Sequence, residues 1–128
     1  MTARILCIED EPDLRSDLVL ELRDAGYEVR EAGDGLAGLE IALNEAIDVV
    51  LCDINLPGLG GLEVVGRLRD HPGKAASPAV IFLTAFADGN MQDMIRNANP
   101  AGILIKPIDY DEMLNAVAGV LRSAAPAA

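Results

Sequence analysis

The stretch Val49-Val50-Leu51-Cys52-Asp53-Ile54-Asn55-Leu56-Pro57-Gly58-Leu59-Gly60-Gly61 limits what this chain can fold into more than any other. Its apolar start has no polar face, so it reads as a strand buried on both sides, as a central parallel strand is. Pro57 and the glycines end it at once. Asp53 therefore stands where a strand leaves a sheet, the edge at which open α/β sheets bind ligands. A carboxylate there is a metal ligand, a nucleophile or a cap for the next helix, and the rest of the chain decides which.

Taken in order, the chain repeats this alternation of apolar run and turn. Arg4 to Ile8 is a first buried strand that runs into Glu9, Asp10 and Glu11, and Pro12 suits the first turn of a helix. Leu14, Leu18, Leu22 and Ala25 recur at helical spacing up to a stop at Gly26, with Leu20 facing away among acids, either an isolated exposed leucine or a docking contact. Tyr27 to Ala32 alternates as a less buried strand, Gly33-Asp34-Gly35 turns, and Leu36 to Leu43 forms a second helix loosened by Gly38. Asp48 to Cys52 is the third strand. Leu62, Val65 and Leu68 mark a third helix, ended by His71-Pro72-Gly73, and a loop from Lys74 to Pro78 leads to a fourth strand, Ala79 to Leu83. Asp88 starts a short helix running to Ala98, with Met91, Met94 and Ile95 on one side. Gly102 to Ile105 is a fifth strand. Asp109 caps a last helix that buries Met113, Leu114, Val117 and Leu121 and ends near Arg122. Five strands alternating with five helices predict an α/β fold with a parallel sheet covered on both faces. Residues 1–122 are expected to form one domain, and 123–128 a flexible tail.

Composition narrows the function. The 128 residues are enough for one core but not two, and a hydrophobic content of 51% excludes a disordered chain. A formal net charge of −11 argues against nucleic-acid binding by this chain alone, because a duplex binder needs Lys and Arg to displace counterions. No apolar run approaches the roughly 20 residues of a membrane span. Acids arrive at Glu9 and Asp10 before any long apolar segment, which is not a signal-peptide pattern, so the expectation is a cytoplasmic protein without membrane contact. Cys7 and Cys52 lie inside apolar runs of neighbouring strands and read as small core residues, with redox sensing as the minor alternative.

Parallel strands all end on one edge, so the polar residues at their C-terminal ends should converge. Strand one supplies Glu9 and Asp10, strand three Asp53, strand four Thr84 and strand five Lys106. Taken singly, each reads as a cap or a surface charge. Together, three carboxylates in one shallow site repel one another, and a divalent cation removes the conflict. The donors are all oxygens, which favours Mg²⁺ over zinc. Thr84 offers a hydroxyl and Lys106 an ammonium, suited to charge-assisted hydrogen bonds with a phosphoryl group on Asp53. Asp53 is then the nucleophile that forms an acyl phosphate.

These residues carry a resemblance. Ile8-Glu9-Asp10-Glu11-Pro12, Asp53-Ile54-Asn55-Leu56-Pro57 with Gly61, Leu83-Thr84-Ala85 and Lys106-Pro107 together resemble the receiver domain of bacterial two-component response regulators, over about residues 3 to 122. The resemblance implies a flavodoxin-like sheet in the order 2-1-3-4-5. It implies Asp53 as phosphoacceptor, with Mg²⁺ on Asp10, Asp53 and the backbone carbonyl of Asn55, and Glu9 acting through a water. It further implies that Thr84 and Lys106 read the phosphoryl group, that Lys106-Pro107 is cis, and that the donor is a phosphohistidine on a sensor histidine kinase or a histidine phosphotransfer protein. Such a domain is a signalling switch rather than a turnover enzyme.

One position departs from the pattern. Similar domains commonly carry Tyr or Phe three residues before the lysine, where this chain has Ile103. With no ring to turn inward, Ile103 implies an unusual switch. Asn55 and Phe86, two residues beyond Asp53 and Thr84, flank the mouth and in the family tune loss of the phosphoryl group; Phe86 either shields the acyl phosphate or packs on the surface. Rival readings are a degenerate receiver that only scaffolds, and an aspartate-nucleophile phosphohydrolase. The hydrolase needs a second acid two residues after the nucleophile, where Asn55 stands. A flavodoxin-like cofactor binder is a third, and Glu9-Asp10-Glu11 would repel a flavin phosphate. The output is open: a homodimer or a downstream protein docked on the fourth helix, fifth strand and fifth helix, with Met91, Met94 and Tyr110 as candidate contacts, or a linker to a further domain.

Overall fold

The computed structural model describes residues 2–71, 78–85 and 89–124. The elements alternate as the sequence predicts: β1 (Arg4–Ile8), α1 (Pro12–Asp24), β2 (Glu28–Ala32), α2 (Gly35–Asn44), β3 (Val49–Asp53), α3 (Gly61–Asp70), β4 (Ala79–Thr84), α4 (Gly89–Asn97), β5 (Gly102–Ile105) and α5 (Tyr110–Ala124). All neighbouring strands pair parallel, in the order β2-β1-β3-β4-β5. The expected cap at Asp88, and Lys74 of the expected loop, lie outside the described residues.

Beyond the first residues of β1 and β4 the central strands are buried, and alternate residues feed two cores. Leu6, Ile8, Val50, Cys52, Val80 and Phe82 pack towards α2, α3 and Ile95 of α4. Ile5, Cys7, Val49, Leu51, Ile81 and Leu83 pack towards Leu18 and Leu22 of α1 and Met113 and Val117 of α5. Cys7 and Cys52 therefore face opposite sides of the sheet. A disulfide between them is excluded, because the Cβ vectors of a bridgeable pair must point together.

Several local expectations are corrected. Gly38 does not loosen α2. A Cβ there would lie 2.4 Å from Ile8 Cδ1, so the glycine is what lets α2 sit close against β1. In α3 the buried face includes Val64 beside Val65 and Leu68, while Leu62 is only half-buried. In α1, Val19 is buried and Ala25 is an exposed C-cap. The last helix continues past Arg122 through Ser123 and Ala124. Asp109 does cap that helix, accepting a hydrogen bond from Glu112 N–H at 3.0 Å. Leu20 is exposed, as its place outside the apolar stripe implied.

Candidate functional site at the sheet's C-terminal edge

β1 and β3 are neighbours, so their parallel ends deliver Glu9, Asp10 and Asp53 to one place. Oxygens of the three carboxylates lie within 4.8 Å of one another. Glu9 and Asp53 are buried, and Asp10 is exposed at the rim. Lys106, just past β5, reaches across with Nζ 2.7 Å from Asp53 Oδ2 and 2.8 Å from Glu9 Oε1. The Lys106-Pro107 bond is cis, as expected.

The loop after Asp53 is held by backbone contacts. Asn55 N–H donates to Asp53 Oδ1 at 3.0 Å, so both oxygens of this carboxylate are engaged. Asn55 itself is exposed at the mouth. Gly61 N–H donates to the Ile54 carbonyl at 3.0 Å, which folds the loop back on the strand. A Cβ at position 61 would stand 2.2 Å from the Asp53 carbonyl oxygen. Only glycine lets α3 begin this close to the strand end and thereby fix the direction in which Asp53 leaves it.

The electrostatics are strained in favour of cation binding. Burial drives the Glu9 carboxyl above its usual range; Lys106 and the Glu11 N–H oppose this, and the charge of Asp53 adds to it. Burial pulls Lys106 down, but its contacts with Asp53 and Glu9 outweigh that and leave it above the ordinary lysine range. Glu9 Oε2 accepts from Glu11 N–H at 3.1 Å. Glu9 Oε1 is buried, and the Lys106 ammonium 2.8 Å away is its partner, shared with Asp53. Three clustered carboxylates that offer only oxygen donors, with one ammonium between two of them, fit Mg²⁺.

Thr84 ends β4, fully buried, and its carbonyl accepts from Lys106 N–H at 2.8 Å, which carries the ladder one residue past β5. Ile103 lies on β5, 44% exposed, beside Ile105 in a groove of about 450 Å³ that Ile95 and Pro100 also line. Phe86 lies outside the described residues. The edge thus brings together Glu9, Asp10, Asp53 and Lys106, with Thr84 at the end of the adjacent strand and Ile103 on the outer face.

Residues 5–118 match the sequence profile of a family described as the response regulator receiver domain. The chain belongs to this family. As a receiver domain of two-component systems it is 40% identical over 122 residues to the "DNA-binding dual master transcriptional regulator RpaA" of Synechocystis, a match covering 93% of this chain and 49% of that protein. It is 34% identical over 115 residues to the "Transcriptional regulatory protein PdtaR" of Mycobacterium tuberculosis, covering 89% of this chain and 54% of that one. The receiver domain therefore spans about half the length of these curated relatives. Among solved structures it resembles the chemotaxis response regulator CheY4 of Vibrio cholerae, with a TM-score of 0.84 at 28% identity over 94% of this chain and 99% of that one. A CheY-like receiver domain protein from Methanospirillum hungatei gives 0.86 at 26% identity, over 96% of each chain.

Arg15 belongs to none of the sequence motifs, yet it reaches the site. Its Nη1 donates to the Glu9 carbonyl at 2.8 Å and its Nε to Glu31 Oε1 at 3.2 Å. The available signal was a cation placed one helical turn after Glu11, in a segment otherwise dominated by acids.

Proposed function

We propose that this receiver domain accepts a phosphoryl group from a phosphohistidine onto Asp53 and signals through the change that follows. What carries the reading is the buried carboxylate of Asp53 at a parallel-sheet edge, clustered with Glu9 and Asp10 and 2.7 Å from Lys106. One Asp53 oxygen forms the new P–O bond as the P–N bond to the donor imidazole breaks, and the imidazole keeps the electron pair and takes up a proton. Asp10, Asp53 and the Asn55 carbonyl would hold Mg²⁺, with Glu9 acting through a water; the bound cation would offset phosphoryl charge and the repulsion among the carboxylates. Lys106 neutralises charge on the transferred group, and Thr84 supplies a hydroxyl donor beside it. Asn55 two residues after Asp53 offers no acid to activate water, which favours a lasting phospho-aspartate over turnover. The domain is proposed to work in the cytoplasm; among the described residues no helix is long and apolar enough to cross a membrane. The sensor kinase or phosphotransfer donor, and a downstream protein or second copy on α4, β5 and α5, belong to the same proposal. On that face Met94 is exposed, while Met91 and Tyr110 are partly packed against the cores.

Intact mass after incubation with Mg²⁺ and a small-molecule phosphodonor tests the reading. Wild type should gain one phosphoryl group, and Asp53→Asn or a chelator should abolish the gain. No gain from the small donor or from a panel of phosphorylated histidine kinases, with folded protein, would refute it. A further arm addresses Ile103, which has no ring to turn inward and stands exposed on β5. Ile103→Tyr should still be phosphorylated but should change phosphorylation-dependent dimerisation or partner binding; unchanged binding would sink the switch reading alone.

A further inference from the structure

Asp10 is the one carboxylate of the cluster that is exposed, and among the described residues no hydrogen bond or ion pair holds its side chain. Its direction is set by the backbone of the short segment between β1 and α1. That segment is pinned at Glu9 from two sides. Glu9 N–H donates to the Ala32 carbonyl at 3.1 Å. The Glu9 carbonyl, part of the same peptide plane as Asp10 N–H, accepts from Arg15 Nη1 at 2.8 Å. The guanidinium is itself fixed, because its Nε meets Glu31 Oε1 at 3.2 Å on β2, and only 22% of the Arg15 side chain is exposed. A planar fork joining a backbone carbonyl to a carboxylate is a geometry that arginine supplies and lysine does not.

We propose that Arg15, held by Glu31, is a positioning residue for cation binding: it locks the Glu9–Asp10 peptide so that Asp10 points into the carboxylate cluster. This rests on the reading of that cluster as an Mg²⁺ site. Two opposed effects make the idea decidable. As a bare positive charge near the site, Arg15 repels Mg²⁺, so on Coulombic grounds alone its removal should tighten binding. As a lock on a ligand residue, its removal should weaken binding, by the order of tenfold that loss of a partner to a ligating residue costs.

The test is Mg²⁺ titration of the whole chain by calorimetry, with no phosphodonor present. Arg15→Met, which keeps stem length without charge or fork, should raise the Mg²⁺ dissociation constant by about tenfold. Arg15→Lys keeps the charge and should recover only part of that loss; it also serves if Arg15→Met fails to fold. Unchanged or tighter Mg²⁺ binding by either folded variant would overturn the assignment while leaving the site reading intact. Absence of Mg²⁺ binding by the wild type would overturn the site reading, and this assignment with it.

Discussion

Two buried carboxylates sharing a single ammonium at 2.7–2.8 Å, with Asp10 as a third beside them, is a poor arrangement for stability, since Glu9 is held above its usual pKa by burial, and it is a good one for receiving a cation. A quieter residue away from the cluster shows the same logic. Tyr110 Oη donates to Asp17 Oδ2 at 3.4 Å, joining α5 to α1. Desolvation first, then the charge of Asp17, push this phenol above its ordinary value. The sign follows: a group whose folded pKa exceeds its unfolded one favours the fold while protonated. Its contribution is complete below the free phenol value of about 10 and is lost as the pH rises through the folded value. In ultraviolet titration, the Tyr110 component, taken as wild type minus Tyr110→Phe, should therefore have its midpoint above about 10. Asp17→Asn should lower that midpoint. A component at the free value, indifferent to Asp17→Asn, would contradict the contact.

At the scale of elements, helices α2 and α3 each carry a mid-helix glycine, and the two should respond in opposite ways. Gly38 faces Ile8, and its added Cβ would meet Cδ1 at 2.4 Å. Gly66 is exposed, with nothing within 4 Å of a built Cβ. Gly38→Ala must push α2 off β1 or force Ile8 from its rotamer, and overpacking of this kind costs about 1–3 kcal/mol. Gly66→Ala only removes backbone freedom from the unfolded chain and should stabilise by roughly 0.5–1 kcal/mol. Thermal unfolding of the two variants checks both signs. A stabilising Gly38→Ala would mean that α2 does not approach β1 this closely.

For the whole molecule, one sheet serves two cores, so neither face can open without disturbing strands that the other needs. Cys7 reports on the α1/α5 face and Cys52 on the α2/α3 face. Burial, with help from nearby acids, pushes Cys7 up to about 12 and raises Cys52 as well. Near the free thiol pKa of about 8.5 both should thus be inaccessible and almost wholly protonated in the fold. Alkylation followed by peptide mass analysis along a denaturant series should show the two thiols becoming reactive at one common midpoint, coincident with loss of helical circular dichroism. Cys52 reacting at clearly lower denaturant than Cys7 would show that the two faces open separately. In the alkaline range the sign is that of Tyr110: the neutral thiols favour the fold, and this support is lost as the pH climbs above about 8.5.

The sequence by itself determined the elements and the edge. Short apolar runs set β1, β3, β4 and β5 to within a residue, and parallel alternation then required Glu9, Asp10, Asp53, Thr84 and Lys106 to share one edge. The strand order came from the resemblance rather than from the pattern. Only the tertiary structure decided the rest. A strand buried on both faces has no polar side, so nothing in Arg4–Ile8 or Val49–Asp53 reveals that Cys7 and Cys52 point apart. Gly38 looked like a weak spot because its partner, Ile8, is on another element, and a close approach leaves no local trace. The bridge of Lys106 to Glu9 and Asp53, and the reach of Arg15 to the Glu9 carbonyl and Glu31, join residues from separate elements or loops. Periodicity encodes which face a residue takes within its own element; the pairing of side chains between elements depends on how those elements dock, and that geometry exists only once the chain has folded.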